Sequence, residues 1–140
     1  MRIPSLLAAL CLASAASAQD PAPVRDMLEK IGKALNAGDA EALGAAFAKD
    51  CDVWLADRRI GEGPAAARQL IAQPIAPARP WSELSPLLLS PVAIRFVSPG
   101  VALVDAQIVR HGLAASQSRP LWLVLRREQG EWKVASFRLF

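Results

Sequence analysis

The sequence predicts an α+β domain, and three observations carry that prediction. Amphipathic patterns of helical period, with recognisable caps, crowd the first half of the chain. Strand-like runs bounded by turn residues crowd the second half. Between them lies Pro74-Ile75-Ala76-Pro77-Ala78-Arg79-Pro80, which suits neither a helix nor a central strand and reads as a stiff extended connector. Helices grouped before strands argue for α+β rather than an alternating α/β fold.

The first segment reads as a leader. Arg2 precedes an apolar stretch from Ile3 to Leu12, and small residues end it at Ala16-Ser17-Ala18. A charged start, a short apolar core and an Ala-x-Ala site are the pattern of a cleaved secretory signal. About ten apolar residues are too few to span a bilayer, which needs about twenty. No later stretch is longer, so stable membrane insertion is not expected. Leu10 before Cys11 disfavours a lipid anchor. The expected organisation is a signal peptide over residues 1–18 and a single domain over residues 19–140, exported to a periplasmic or extracellular compartment.

Composition then limits the domain. The 122 mature residues can bury about two-thirds of their unfolded surface, enough for a real core. Loss of Arg2 leaves 15 basic against 13 acidic side chains, a net charge of +2. Arg58-Arg59 and Arg126-Arg127 are the only basic doublets. A nucleic-acid partner would want a denser stripe, so none is expected. Cys11 leaves with the leader, and Cys51 remains alone, so no intrachain disulfide can form. In an apolar strand Cys51 reads as a small buried hydrophobe.

The elements follow in order. Asp20-Pro21 opens a helix whose apolar stripe is Val24, Met27, Leu28, Ile31, Ala34 and Leu35. Asn36-Ala37-Gly38 stops it, with Gly38 left-handed. Asp39 caps a second short helix that buries Leu43, Ala46 and Phe47. Cys51 to Ala56 reads as a strand, Asp57-Arg58 as a turn, and Ile60-Gly61 as a short return. A third helix runs from Ala65 to Gln73 through Ala67, Leu70 and Ile71. Ser82 to Val97 is strand-like but carries Pro86 and Pro91, so it belongs at an edge or a bulge. Ser98-Pro99-Gly100 is a turn with Gly available for positive φ, and Val101 to Arg110 a strong strand. Gly112 to Pro120 reads as a polar loop, Leu121 to Arg127 as a strand, Gln129-Gly130 as a hairpin turn and Glu131 to Phe140 as the last strand. The expected order is three helices with one small hairpin, then four antiparallel strands.

Read together, several runs resemble a known family. They are Ala34-Leu35-Asn36-Ala37-Gly38-Asp39-Ala40-Glu41-Ala42-Leu43, then Phe47-Ala48-Lys49-Asp50-Cys51-Asp52, then Arg59-Ile60-Gly61-Glu62-Gly63-Pro64. Near the end, Leu123 to Arg127 precedes Gly130-Glu131-Trp132-Lys133-Val134-Ala135-Ser136-Phe137-Arg138. In order and spacing these resemble the SnoaL-like branch of the nuclear transport factor 2-like superfamily, across essentially the whole mature chain. The resemblance implies a cone, a curved antiparallel sheet wrapped around three helices, with a pocket between them. It also implies a homodimer made sheet to sheet. Its members include ketosteroid isomerases, polyketide cyclases, dehydratases and domains without catalysis, so fold alone does not give function.

Carried onto this chain, the isomerase pattern is incomplete. Those members use a carboxylate base on the first strand and a tyrosine with a protonated acid at the enolate oxygen, an arrangement long used to illustrate pKa tuning. This chain has no Tyr, and Leu55 stands where the base would project. Asp52 and Asp57 have the wrong strand parity or lie in the turn. The remaining acid–base candidates are Asp52, Asp105 and His111, each with an ordinary surface reading beside it. His111 has no neighbours at metal-ligand spacing, so no metal is expected. No Gly-rich phosphate loop, P-loop or Ser elbow is present, and no cofactor is expected.

The expected pocket lining comes from strand alternation. Cys51, Val53 and Leu55 form one apolar face, and Ala102, Val104, Ala106 and Ile108 another; both point inward on the simplest reading. Asp105 and Gln107 then point outward. Trp132, Val134, Ser136 and Arg138 share one face of an unbroken last strand, and Arg138 could take a carboxylate bidentately. Trp81 is the candidate for the pocket mouth. The candidates are therefore Val53, Leu55, Trp81, Val104, Ala106, Ser136 and Arg138. The leading functional expectation is an exported, non-catalytic domain binding a small apolar or amphipathic molecule. An isomerase, cyclase or dehydratase and a dimeric protein-interaction module are the alternatives.

Overall fold

The structure is a computed structural model that describes residues 19–73, 87–111 and 116–140. The leader, the connector of residues 74–80, Trp81, Pro86 and the tip of the polar loop lie outside these residues. Helix α1 spans Ala22–Ala37, α2 Ala40–Ala46 and α3 Ala65–Ala72. The strands are β1 Phe47–Leu55, β2 Arg58–Glu62, β3 Leu87–Ser98, β4 Val101–His111, β5 Ser116–Glu128 and β6 Glu131–Leu139. They form one six-stranded sheet in the order β2-β1-β6-β5-β4-β3.

The helix boundaries follow from local chemistry. Asp20 accepts a hydrogen bond from the Ala22 amide at the start of α1. Gly38 adopts φ 64°, and the amides of Gly38 and Asp39 return to the carbonyls of Leu35 and Ala34. This is a Schellman stop, which needs a residue comfortable in the left-handed region. Asp39 then accepts from the Ala42 amide and caps α2. One short run, Asn36 to Asp39, thus ends one helix and starts the next. Phe47 is buried as expected but opens β1 rather than closing α2.

The last four strands form the expected meander. The small hairpin joins the same sheet, because β1 pairs with β6. That pairing is parallel, so the sheet is mixed rather than wholly antiparallel. Parallel neighbours need a long connection, and here everything from β2 to β5 supplies it. β3 is an edge strand, and its register slips between Pro91 and Ala93. Edge position and bulge together accommodate a residue with no N–H to donate. The sequence reading made all of 112–120 a loop, but β5 already begins at Ser116. Pro120 fits within it because its carbonyl accepts from Phe140 N, so its missing N–H points to the side where β6 runs out.

The inner face of the sheet and the helices close over one core. Val24, Leu28, Ile31 and Leu35 of α1 meet Leu43, Leu70, Leu121, Leu123, Leu125, Phe137 and Leu139 there. Phe47 and Phe137 lie with ring centroids 5.8 Å apart, tilted at 48°. Among the described residues no polar or charged side chain is buried.

Candidate functional site: the outer face of the sheet

Val53, Val104 and Ala106 point into the interior, as strand alternation predicts. There they are 0, 1 and 3% exposed. Their side chains pack in the core, and Val104 also borders the hollow described below. Leu55 is half-buried against the same core. Cys51 is sealed there too, and burial, aided by the charges of Asp52 and Asp50, pushes its thiol up to about 12. A thiol that stays protonated is no nucleophile.

Ser136 and Arg138 do not share the face of Trp132 and Val134, as an unbroken strand would have them do. Val124 pairs with Ser136, but Leu125 pairs with Val134, so Ala135 is an extra residue in β6. Such a bulge resets the alternation. Trp132 and Val134 face inward before it, Phe137 and Leu139 face inward after it, and Ser136 and Arg138 turn outward.

The outer face therefore gathers the polar chemistry. Its register gives two parallel rows across the sheet. In the first, Ala93, Asp105, Trp122, Arg138, Trp54 and Arg59 stand side by side from β3 to β2. In the second, Arg95, Leu103, Val124, Ser136, Asp52 and Glu62 do the same. Trp122 is 54% exposed, and its ring meets Phe140 edge-on at 4.8 Å. The Arg138 guanidinium lies 4.9 Å from the centre of the Trp54 ring, a cation–π contact.

Asp52 is tied into this face. It accepts from Arg59 Nε at 2.7 Å and from the Trp54 indole N–H. Partial burial alone would raise its carboxyl, but those hydrogen bonds and the charges of Arg59 and Arg138 outweigh it. The carboxyl is held below the ordinary carboxylate range, the wrong direction for a general base at neutral pH. Asp105 is exposed on the outer face beside Trp122. His111 is the last residue of β4, opposite Ser116, and its side chain lies outside the described part. Trp81 lies outside the described residues altogether. Of the acid–base candidates, Asp52 and Asp105 are not brought together in an enclosed site.

Arg126 belongs to a separate exposed cluster. It donates to Asp50 at 2.6 Å and to Glu128, and these bonds raise its own pKa while lowering that of Asp50. Among the described residues no group of three His, Cys, Asp or Glu could hold a metal ion.

A hollow of about 420 Å³ opens on the outer face, lined by Arg95, Leu103, Asp105, Trp122 and Val124. A more open one lies beside it at Trp54, Asp57, Arg138 and Phe140. Sequence reasoning singled out Asp105 and Arg138, left Trp122 between core and dimer interface, and passed over Arg95. The run Leu121 to Leu125 is apolar at every position, so it offers no alternation from which to tell which side faces out.

Comparison with known proteins agrees with this architecture. No family model matches the chain, and no curated protein matches it. Solved structures do. An NTF-2-like protein of unknown function from Shewanella oneidensis is 14% identical, with a TM-score of 0.65 over 84% of this chain and 96% of that one. A protein of unknown function with a cystatin-like fold from Nostoc punctiforme is 15% identical, with a TM-score of 0.68 over 88% and 91%. A provisionally named scytalone dehydratase from Novosphingobium aromaticivorans is 17% identical, with a TM-score of 0.64 over 84% and 80%. At these identities the likeness is one of fold. The chain has the α+β fold of the nuclear transport factor 2-like superfamily, as the resemblance of its motifs implied.

Proposed function

We propose that this chain is an exported, non-catalytic binding domain that works as a homodimer through the outer face of its sheet. One observation carries the reading: the division of chemistry between the two faces. The inner face is apolar and closed at its centre; Leu55, Leu89, Ile94 and Phe96 are half-buried around it, and Arg119 stands at its edge beside Ile108 and Leu121. The outer face carries an exposed Trp122, a guanidinium stacked on Trp54 and the carboxylates Asp52 and Asp105. Exposed aromatics interleaved with Arg are what binding surfaces use. Catalysis in the cone would want an acid or base there; among the described residues the Cys51 thiol is held neutral, and Arg119 at the inner edge stays protonated and cannot serve as a base.

A second reading keeps a small-molecule ligand. It is favoured by the hollow at Trp122, whose volume falls in the range of small-molecule sites. Arg95 or Arg138 would meet a carboxylate on such a ligand.

Native mass spectrometry on the mature protein, purified from the compartment to which it is exported, tests both. A dimer of chains beginning at Gln19 is the expected result. Extra mass on each chain would favour the small-molecule reading, and a clean monomer at high concentration would sink the homodimer.

A further inference from the structure

We infer that the outer face is self-complementary about one particular two-fold axis, which runs along β5 and brings Asp105 of each protomer onto Arg138 of a second copy. This rests on the homodimer proposed above and specifies its register and the residues that select it.

The argument comes from strand order and pairing. β5 has β4 and β3 on one side, and β6 and β1 on the other. An in-plane two-fold along β5 lays the second copy's sheet face to face, exchanging left and right and keeping the strand direction. Each position then faces the position equally far across β5. In the first row, Asp105 on β4 faces Arg138 on β6 of the second copy. Ala93 on β3 faces Trp54 on β1, a small side chain against a large one. Trp122 lies on the axis and meets its own copy. In the second row, Arg95 on β3 faces Asp52 on β1, and Leu103 faces Ser136.

Two oppositely charged pairs and one large-to-small pair thus arise from a single operation. Each is made twice, as an isologous interface requires. Sheets packed face to face stand about 10 Å apart, a gap that Asp and Arg side chains from opposite sides can close. The aligned packing of twisted sheets keeps strand directions within about 30°, which preserves the pairing near the axis.

The same pattern disfavours the other simple arrangement. With the axis along the row instead, Asp105 would face Asp105 and Arg138 would face Arg138. Like charges set against each other suppress a wrong partner geometry. Arg138 also has donors to spend, since its contact among the described residues is the Trp54 ring face rather than an acceptor. Arg95 likewise makes no hydrogen bond to a described acceptor.

Charge reversal in the full chain tests the register. Asp105→Arg alone and Arg138→Glu alone each place like charges at both symmetric contacts. Sedimentation equilibrium should show the dimer dissociation constant rising at least about tenfold in each. The double variant, Asp105→Arg with Arg138→Glu, restores opposite charges across the β5 axis and should return within about threefold of the parent. Across the alternative axis it would instead stack Arg on Arg and Glu on Glu, with no recovery. Thermal melts of each variant check that the fold is intact, Asp105 being exposed and Arg138 half-buried against Trp54. A dimer that ignores the single reversals, or is not rescued by the double one, overturns the register and leaves the homodimer standing. A parent chain that stays monomeric removes both.

Discussion

At single residues the backbone makes sharper demands than composition suggests. Gly63 sits at φ +68°, and a Cβ there would collide with the Lys49 carbonyl. Gly100, which the turn at Pro99 marked for positive φ, does not use it and has open space around its Cα. Gly63→Ala should therefore cost at least about 2 kcal/mol, from left-handed strain and the clash together. Gly100→Ala should be neutral or stabilising by up to about 1 kcal/mol. Urea unfolding of the two variants measures the contrast, and equal losses would contradict it. Cys51 makes a second residue-scale prediction. Its thiol is raised to about 12, against about 8.5 in an unfolded chain. A raised pKa leaves stability intact below about pH 8.5 and removes it as pH climbs toward 12. Cys51→Ala should flatten that alkaline decline. In the native protein at pH 8 a thiol reagent should fail to label Cys51, and unfolding should release it.

At the scale of the element, the bulge at Ala135 decides which side chains do what. An unbroken strand would send Ser136 and Arg138 inward with Val134. The extra residue sends Phe137 and Leu139 inward instead. Phe137→Ala should cost about 3–5 kcal/mol, and Ser136→Ala should stay within about 0.5 kcal/mol. Comparable costs would mean that β6 is not bulged. The helix ends needed no such correction, because their caps act over a few neighbouring residues. Gly38 stops α1 and Asp39 starts α2 through bonds spanning at most five residues. A bulge depends on a partner strand, and β5 and β6 disclose it only when paired.

For the whole molecule, exposed ion pairs are expected to contribute to the acid limit. Asp50 is lowered chiefly by its hydrogen bond from Arg126. Asp52 is lowered by Arg59 and Trp54 against the opposing effect of burial. Depressed carboxyls contribute stability that is present above about pH 4 and lost as pH falls through their folded pKa values. The melting temperature should drop below that pH. Arg59→Ala combined with Arg126→Ala should make the acid slope shallower. Both clusters are solvent-exposed, so added salt should weaken the same effect. An unchanged slope in the double variant would show that other groups set the acid limit.

The order of helices and strands, the caps, the buried stripe of α1 and the inward faces of β1 and β4 could all be read from the sequence. Each depends on a period or a few adjacent residues. The edge position of β3 was legible too, because Pro91 cannot donate to a central ladder. Three things waited for the tertiary structure: the parallel partnership of β1 with β6, the outward turn of Arg138, and the alignment of Asp105, Trp122 and Arg138 in one row. All three depend on register between segments far apart in the chain. Side-chain period along a strand is two, so one unpaired residue exchanges inside for outside, and only the partner strand reveals where it sits. The sequence by itself determined which elements form and what most of them bury. Their mutual register determined that the candidate site lies on the outside of the sheet.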